Sequence, residues 1–111
     1  MLGVFIQVIL LNKKSKNLYQ RAWGRWGYLQ FIVAIEECSE LQKAITKHLR
    51  GNDLSNVFEE VADVEIMIEQ IRSLSEESNS KITEFKEKKL RRLSELLESI
   101  EKLEKQREKG V

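Results

Sequence analysis

Proline is absent from all 111 residues, and only five glycines occur. Both residues punctuate turn-rich β folds, and proline breaks helix interiors, so their scarcity favours long helices. The single cysteine, Cys38, excludes an intrachain disulfide and points to a reducing, cytoplasmic setting. Beside it stands one histidine, His48, and the pair lacks the ligand spacing of a zinc site. An excess of one charge is also missing, since 19 Lys and Arg against 18 Asp and Glu leave +1. A dedicated nucleic-acid binder would carry a clear basic excess, so no nucleic-acid partner is expected. The apolar run over residues 1–11, MLGVFIQVILL, is about half the ~20 residues of a membrane-spanning helix. Its lysines follow the run, whereas a secretory signal places them before it. Residues 1–15 are therefore expected to be an apolar N-terminal arm or helix, packed on the body or on a partner subunit, with no membrane partner.

What is present is helical patterning. Gly24 and Gly27 interrupt or delay a helix within residues 16–30. From Gln30 to Leu49 the positions Ala34, Cys38, Leu41 and Ile45 repeat at i, i+4, i+7 and i+11, one apolar stripe. Arg50 and Gly51 end that helix, with basic residues in its last turn and glycine at the C′ position. Asn56, with Glu59 three residues on, reads as the cap of a second helix reaching about Leu74. Its stripe is Val57, Val61, Val64, Ile68 and Ile71. Residues 75–80 form a linker, and Ser80 caps a last helix striped by Leu90, Leu93, Leu97 and Ile100. Residues 100–111 are its charged tail. The expected fold is all-α, a single-domain helical bundle of about four to five helices over residues 1–111. One short helical pair makes a thin bundle, so a homodimer or a dimer of dimers is expected to complete the core.

Two acidic strings carry the chemistry: Glu36-Glu37-Cys38-Ser39-Glu40 and Glu60-Val61-Ala62-Asp63. At about 100° per residue, Glu37 and Glu40 fall just off the first stripe, and Glu60 and Asp63 sit on one shoulder of the second. Antiparallel pairing through the stripes would bring Glu37, Glu40, Glu60 and Asp63 together. Four carboxylates beside a core cannot all stay ionised without compensation. A hard divalent cation compensates them, Mg²⁺ by preference and Mn²⁺ as a substitute. A di-iron bundle would need Glu-x-x-His on two helices, and Ile45 stands three positions before His48. The competing reading is that such carboxylates are boundary charges of a bundle. Against it, residues 36–77 hold eleven acidic and only four basic groups.

These strings resemble a known family. EExxE followed about twenty residues later by ExxD is similar to the signature of the MazG-like all-α nucleoside triphosphate pyrophosphatases. Trp26-Gly27 ahead of Gln30, the Leu49-Arg50-Gly51 turn and the stretch from Glu59 to Gln70 extend the likeness. So does the basic cluster Lys86, Lys88, Lys89, Arg91 and Arg92, and the resemblance spans residues 17–97. It implies Mg²⁺-dependent hydrolysis of a nucleoside triphosphate to its monophosphate and pyrophosphate. Metal ligands would be Glu37, Glu40, Glu60 and Asp63, with Glu36 a further ligand or the group that orients or deprotonates the attacking water. Glu36 and Glu37 are thus the catalytic candidates that the resemblance implies. Trp26 would stack on the base, Gln30 would read its edge, and Lys89 with Arg92 would clamp phosphates.

Two other readings stand beside this one. A non-catalytic helical oligomerisation module accounts for the heptad-like stripes, and a phosphoribosyl-ATP pyrophosphatase-like enzyme accounts for the carboxylates. The near-zero net charge itself is uneven. Residues 1–35 carry +5, residues 36–77 carry −7 and residues 78–111 carry +3. An acidic centre flanked by basic segments suits a metal and a phosphate chain.

Overall fold

The structure, a computed structural model, describes residues 16–110. The expected arm at residues 1–15 and the terminal Val111 lie outside the described residues. Among those described there are four helices and no strand: α1 over residues 16–26, α2 over Leu29–Leu49, α3 over Ser55–Arg72 and α4 over Glu76–Lys109. The all-α expectation holds. Two compact units divide the chain, one ending at Asn79 and the other beginning at Ser80.

The breaks between helices follow from local chemistry. α1 runs through Gly24 and stops at Gly27, whose φ of 52° suits a residue without a Cβ. At the end of α2 the Gly51 N–H donates to the His48 carbonyl at 2.9 Å and the Asn52 N–H to that of Lys47 at 3.2 Å. That pair of bonds is a Schellman stop, with Gly51 at φ 103°. The Asn52 side chain adds a bond to the Lys47 carbonyl, and the His48 ring donates from Nδ1 to the Asn52 carbonyl at 2.9 Å.

Two helix starts differ from expectation. α3 begins at Ser55, and the anchoring side chain is Asp53, not Asn56. Asp53 accepts the Ser55 N–H at 2.8 Å and the Ser55 hydroxyl at 3.0 Å, and these bonds hold its carboxyl below the usual range. α4 begins at Glu76, where Ser75 accepts the Ser78 N–H at 3.0 Å, so Ser80 lies inside the helix rather than at its cap. In both cases an earlier side chain reaches the free N–H groups of the first turn.

Within the first unit α2 packs along α3. The short connector makes the pair antiparallel. The face that α2 presents is Gln30, Ala34, Glu37, Leu41, Ala44 and His48, all buried or half-buried. This is the expected stripe turned by about one position, for Cys38 and Ile45 lie exposed. On α3 the packing face is Val57, Glu60, Asp63, Val64, Met67, Gln70 and Ile71, while Val61 and Ile68 turn outward. Met67 is in the core as expected and Cys38 is not.

α1 is fastened to the far end of α3. The Trp23 indole N–H donates to the Gln70 carbonyl, and the Gln70 amide donates to the Tyr19 carbonyl at 2.7 Å. Phe31 meets Trp23 edge-on, with ring centroids 5.6 Å apart, which carries the contact on to α2. In the second unit α4 continues to Lys109, so the tail expected at residues 100–111 is helical up to that point. No residue of α4 is buried.

The Schellman stop gives a direct stability test. Gly51→Ala forces a Cβ into a left-handed backbone, at a cost of about 1–2 kcal/mol. Thermal unfolding followed by circular dichroism should show a lower midpoint, with helix content below the transition retained.

Candidate metal centre

The turned faces of α2 and α3 place three carboxylates in the seam. Glu37 comes from the middle of α2, and Glu60 and Asp63 lie three residues apart on α3. One carboxylate oxygen from each lies within 4.8 Å of the other two, and all three side chains are half-buried. Packing imposes this arrangement. Ala34 and Ala44 are the small residues of the α2 face, and Ala44 is 2% exposed against α3.

The electrostatics are those of a site lacking positive charge. Loss of solvent raises the Glu37 carboxyl above its usual range, and the charges of Asp63 and Glu60, a hydrogen bond to Asp63 and the charge of Glu40 add to it. That hydrogen bond requires a proton, because two ionised carboxylates have no donor between them. Glu60 is raised as well, first by lost solvent and then by Asp63, Glu40 and Glu59. Among the described residues, the charged groups that act on these two carboxyls are acidic. Glu40 is exposed and stays at the margin of the triad, and Glu36 is exposed beside it.

Trp26 is 55% exposed at the end of α1. Its neighbour Trp23 is half-buried and committed to Gln70, a structural role. Gln30 is buried at 6% exposure on the packing face of α2, so its amide belongs to the interior and not to an open surface. Lys89 and Arg92 are exposed on the α4 segment of the second unit. His48 is at the α2 stop, as its position at a helix end suggested.

Two arginines went unremarked in the sequence. Arg21 and Arg25 border a groove between α1 and α3, together with Trp26 and Ile66. Their i, i+4 spacing next to a tryptophan was the available signal. Nothing in the spacing alone says which face of α1 stays open.

The oxygen-only donor set fits a hard divalent cation. Three carboxylates at this separation match the ligand type that Mg²⁺ and Mn²⁺ prefer, with water completing the shell. No helix among the described residues is long and apolar enough to cross a membrane.

The raised carboxyls set a sign for stability against pH. A carboxyl whose folded value lies above its ordinary 4.5 disfavours the folded state at neutral pH, and that penalty fades as the pH falls through the raised value toward 4.5. Glu60→Gln should therefore raise the melting midpoint of the metal-free protein at pH 7. The difference from wild type should shrink as the pH is lowered to 4.5 and below, read from melts across the series.

Comparison of the chain with family models, with curated proteins and with solved structures gives no match.

Proposed function

We propose that the protein is a Mg²⁺-dependent nucleotide pyrophosphohydrolase that converts a nucleoside triphosphate to its monophosphate and pyrophosphate, in the housekeeping of nucleotide pools. The observation that carries the reading is the convergence of Glu37, Glu60 and Asp63 in a seam where the neighbouring charges are also acidic. The sequence resemblance to MazG-like enzymes falls on the same three residues and supports it.

Roles follow from position. Glu37, Glu60 and Asp63 hold the cation, and Glu40 contributes from the exposed margin. Bound Mg²⁺ supplies the charge that offsets the phosphates and makes water a better nucleophile at neutral pH. Glu36, one position before Glu37, orients or deprotonates the water that attacks phosphorus. The leaving group is pyrophosphate, whose developing charge calls for cations, and the sequence resemblance alone names Lys89 and Arg92 for that role. Trp26 offers an exposed indole face to the base. The edge-reading role that the resemblance gave Gln30 is not carried over, because its side chain is buried.

The reading includes a homodimer or a dimer of dimers. Large apolar side chains stand in water on the first unit, among them Ile32, Ile35, Phe58 and Ile66, and Leu90, Leu93, Leu97 and Ile100 do so on α4. A monomer rarely exposes this much apolar surface without a partner. The same exposure favours a second reading, a non-catalytic helical oligomerisation module, in which the carboxylates are boundary charges.

One experiment separates the two. Purified protein is incubated with a panel of ribo- and deoxyribonucleoside triphosphates, with and without Mg²⁺, and pyrophosphate release is followed. Metal-dependent release is expected, lowered by about a hundredfold or more in Asp63→Asn and Glu60→Gln. Calorimetric titration should show Mg²⁺ binding to wild type and weaker binding to Glu40→Gln. No metal-dependent release across the panel would overturn the enzyme reading.

A further inference from the structure

We propose that the apolar face of α4 is covered by α4 of a second copy of the chain, lying antiparallel to it. This pairing gives the self-association put forward above a face and an orientation. It rests on that part of the reading and is independent of the hydrolysis.

Helix geometry defines the face. At about 100° per residue, Leu90, Leu93, Leu96, Leu97 and Ile100 all fall within about 60° of Leu93. A stripe about 120° wide has the width of a helix surface that faces a core. Yet these five side chains are between 41% and 57% exposed, and no residue of α4 is buried. Most helical stability in proteins comes from packing such a face, and propensity alone contributes little.

Charge along the helix selects what covers the face. Residues 81–92 hold six basic and two acidic side chains, +4, whereas residues 93–104 hold one basic and four acidic, −3. An antiparallel copy sets the basic half of each helix against the acidic half of the other. A parallel copy in register sets each half against its own sign, which disfavours that arrangement. The pattern is its own complement, and that favours a second copy over an unrelated partner.

The stripe itself carries the same asymmetry. Lys86 stands before it and Glu104 after it, each about 20° from Leu93 around the helix. When Leu93 of one copy faces Leu97 of the other, Leu90 faces Ile100 and Lys86 faces Glu104. Twofold symmetry makes each of these contacts occur twice. An apolar centre is thus closed at both ends by a pair of opposite charges.

The test uses the full chain. Sedimentation equilibrium should give Leu93→Glu/Leu97→Glu half the mass of the wild type. Lys86→Glu and Glu104→Lys leave the apolar stripe intact, and each places like charges opposite one another twice. Each alone should weaken association by about tenfold, and the double variant Lys86→Glu/Glu104→Lys should restore it. Orientation is read by cross-linking in a Cys38→Ser background. Chains carrying Lys86→Cys and chains carrying Glu104→Cys should be joined by a short bismaleimide only after the two are mixed and allowed to exchange. Self-linking of Lys86→Cys chains, or a double charge variant no stronger than the single ones, overturns the antiparallel pairing. A wild type that sediments as a monomer overturns the pairing and the self-association reading together. A wild-type oligomer whose mass and affinity none of these variants changes overturns the pairing alone, and the face is then covered by another part of the same chain or by a different protein.

Discussion

Close packing of α2 against α3 is the constraint on which the rest of the first unit depends. Ala34 and Ala44 supply no side chain long enough to hold the helices apart, and Ala44 is almost wholly buried. Dispersion and lost apolar surface at this seam, with Leu41, Val64 and Met67, provide the favourable energy. The cost of that approach falls on Glu37, Glu60 and Asp63, which the same geometry forces together and partly strips of solvent. Local repulsion of this kind is stable only because the packing around it is not negotiable.

The far end of the seam is secured differently. Between α1 and α3 the Trp23 side chain donates to the Gln70 carbonyl and the Gln70 side chain to the Tyr19 carbonyl, side chain to main chain in each direction. Both groups are part-buried, so each satisfies a polar atom that would otherwise be costly to enclose. The arrangement fixes the rotation of α1 about its axis. Trp23 and Phe31 then turn inward, and Arg21, Arg25 and Trp26 are left on the open side. Thus one hydrogen-bonded pair decides which of two adjacent tryptophans is structural and which is available to a ligand.

Burial across the described residues is sparse. Among these residues only Ala44 and Met67 form the buried apolar core, with Gln30 and Gln70 as its buried polar members. A chain with 41% apolar residues has more hydrophobic surface than such a core consumes. The surplus is arranged on faces, at Ile32 and Ile35 on α2 and at Leu90 through Ile100 on α4. That arrangement is what supports the proposal of a self-associated state.

Helix existence, the α2 stop at Gly51 and the membership of Glu37, Glu60 and Asp63 in one candidate site were legible in the sequence. Each depends on local rules: periodicity, the need for a residue without a Cβ at positive φ, and the angular placement of residues around a helix. The rotation of each packing face was not legible. Cys38 and Ile45 fit the apolar stripe as well as Glu37 and Ala44 fit the seam, and hydrophobicity alone prefers the former. Tertiary structure decided otherwise, because interhelical distance rewards small side chains at the contact and tolerates acidic ones at its edge. Likewise Asp53 displaced Asn56 and Ser75 displaced Ser80 as helix-starting groups, since a cap depends on where the preceding chain turns. The sequence by itself determined an all-α chain with an acidic centre between basic flanks. Only the packing of α1, α2 and α3 decided which three carboxylates meet and which tryptophan and arginines face the groove, because those outcomes depend on contacts between segments distant in the chain.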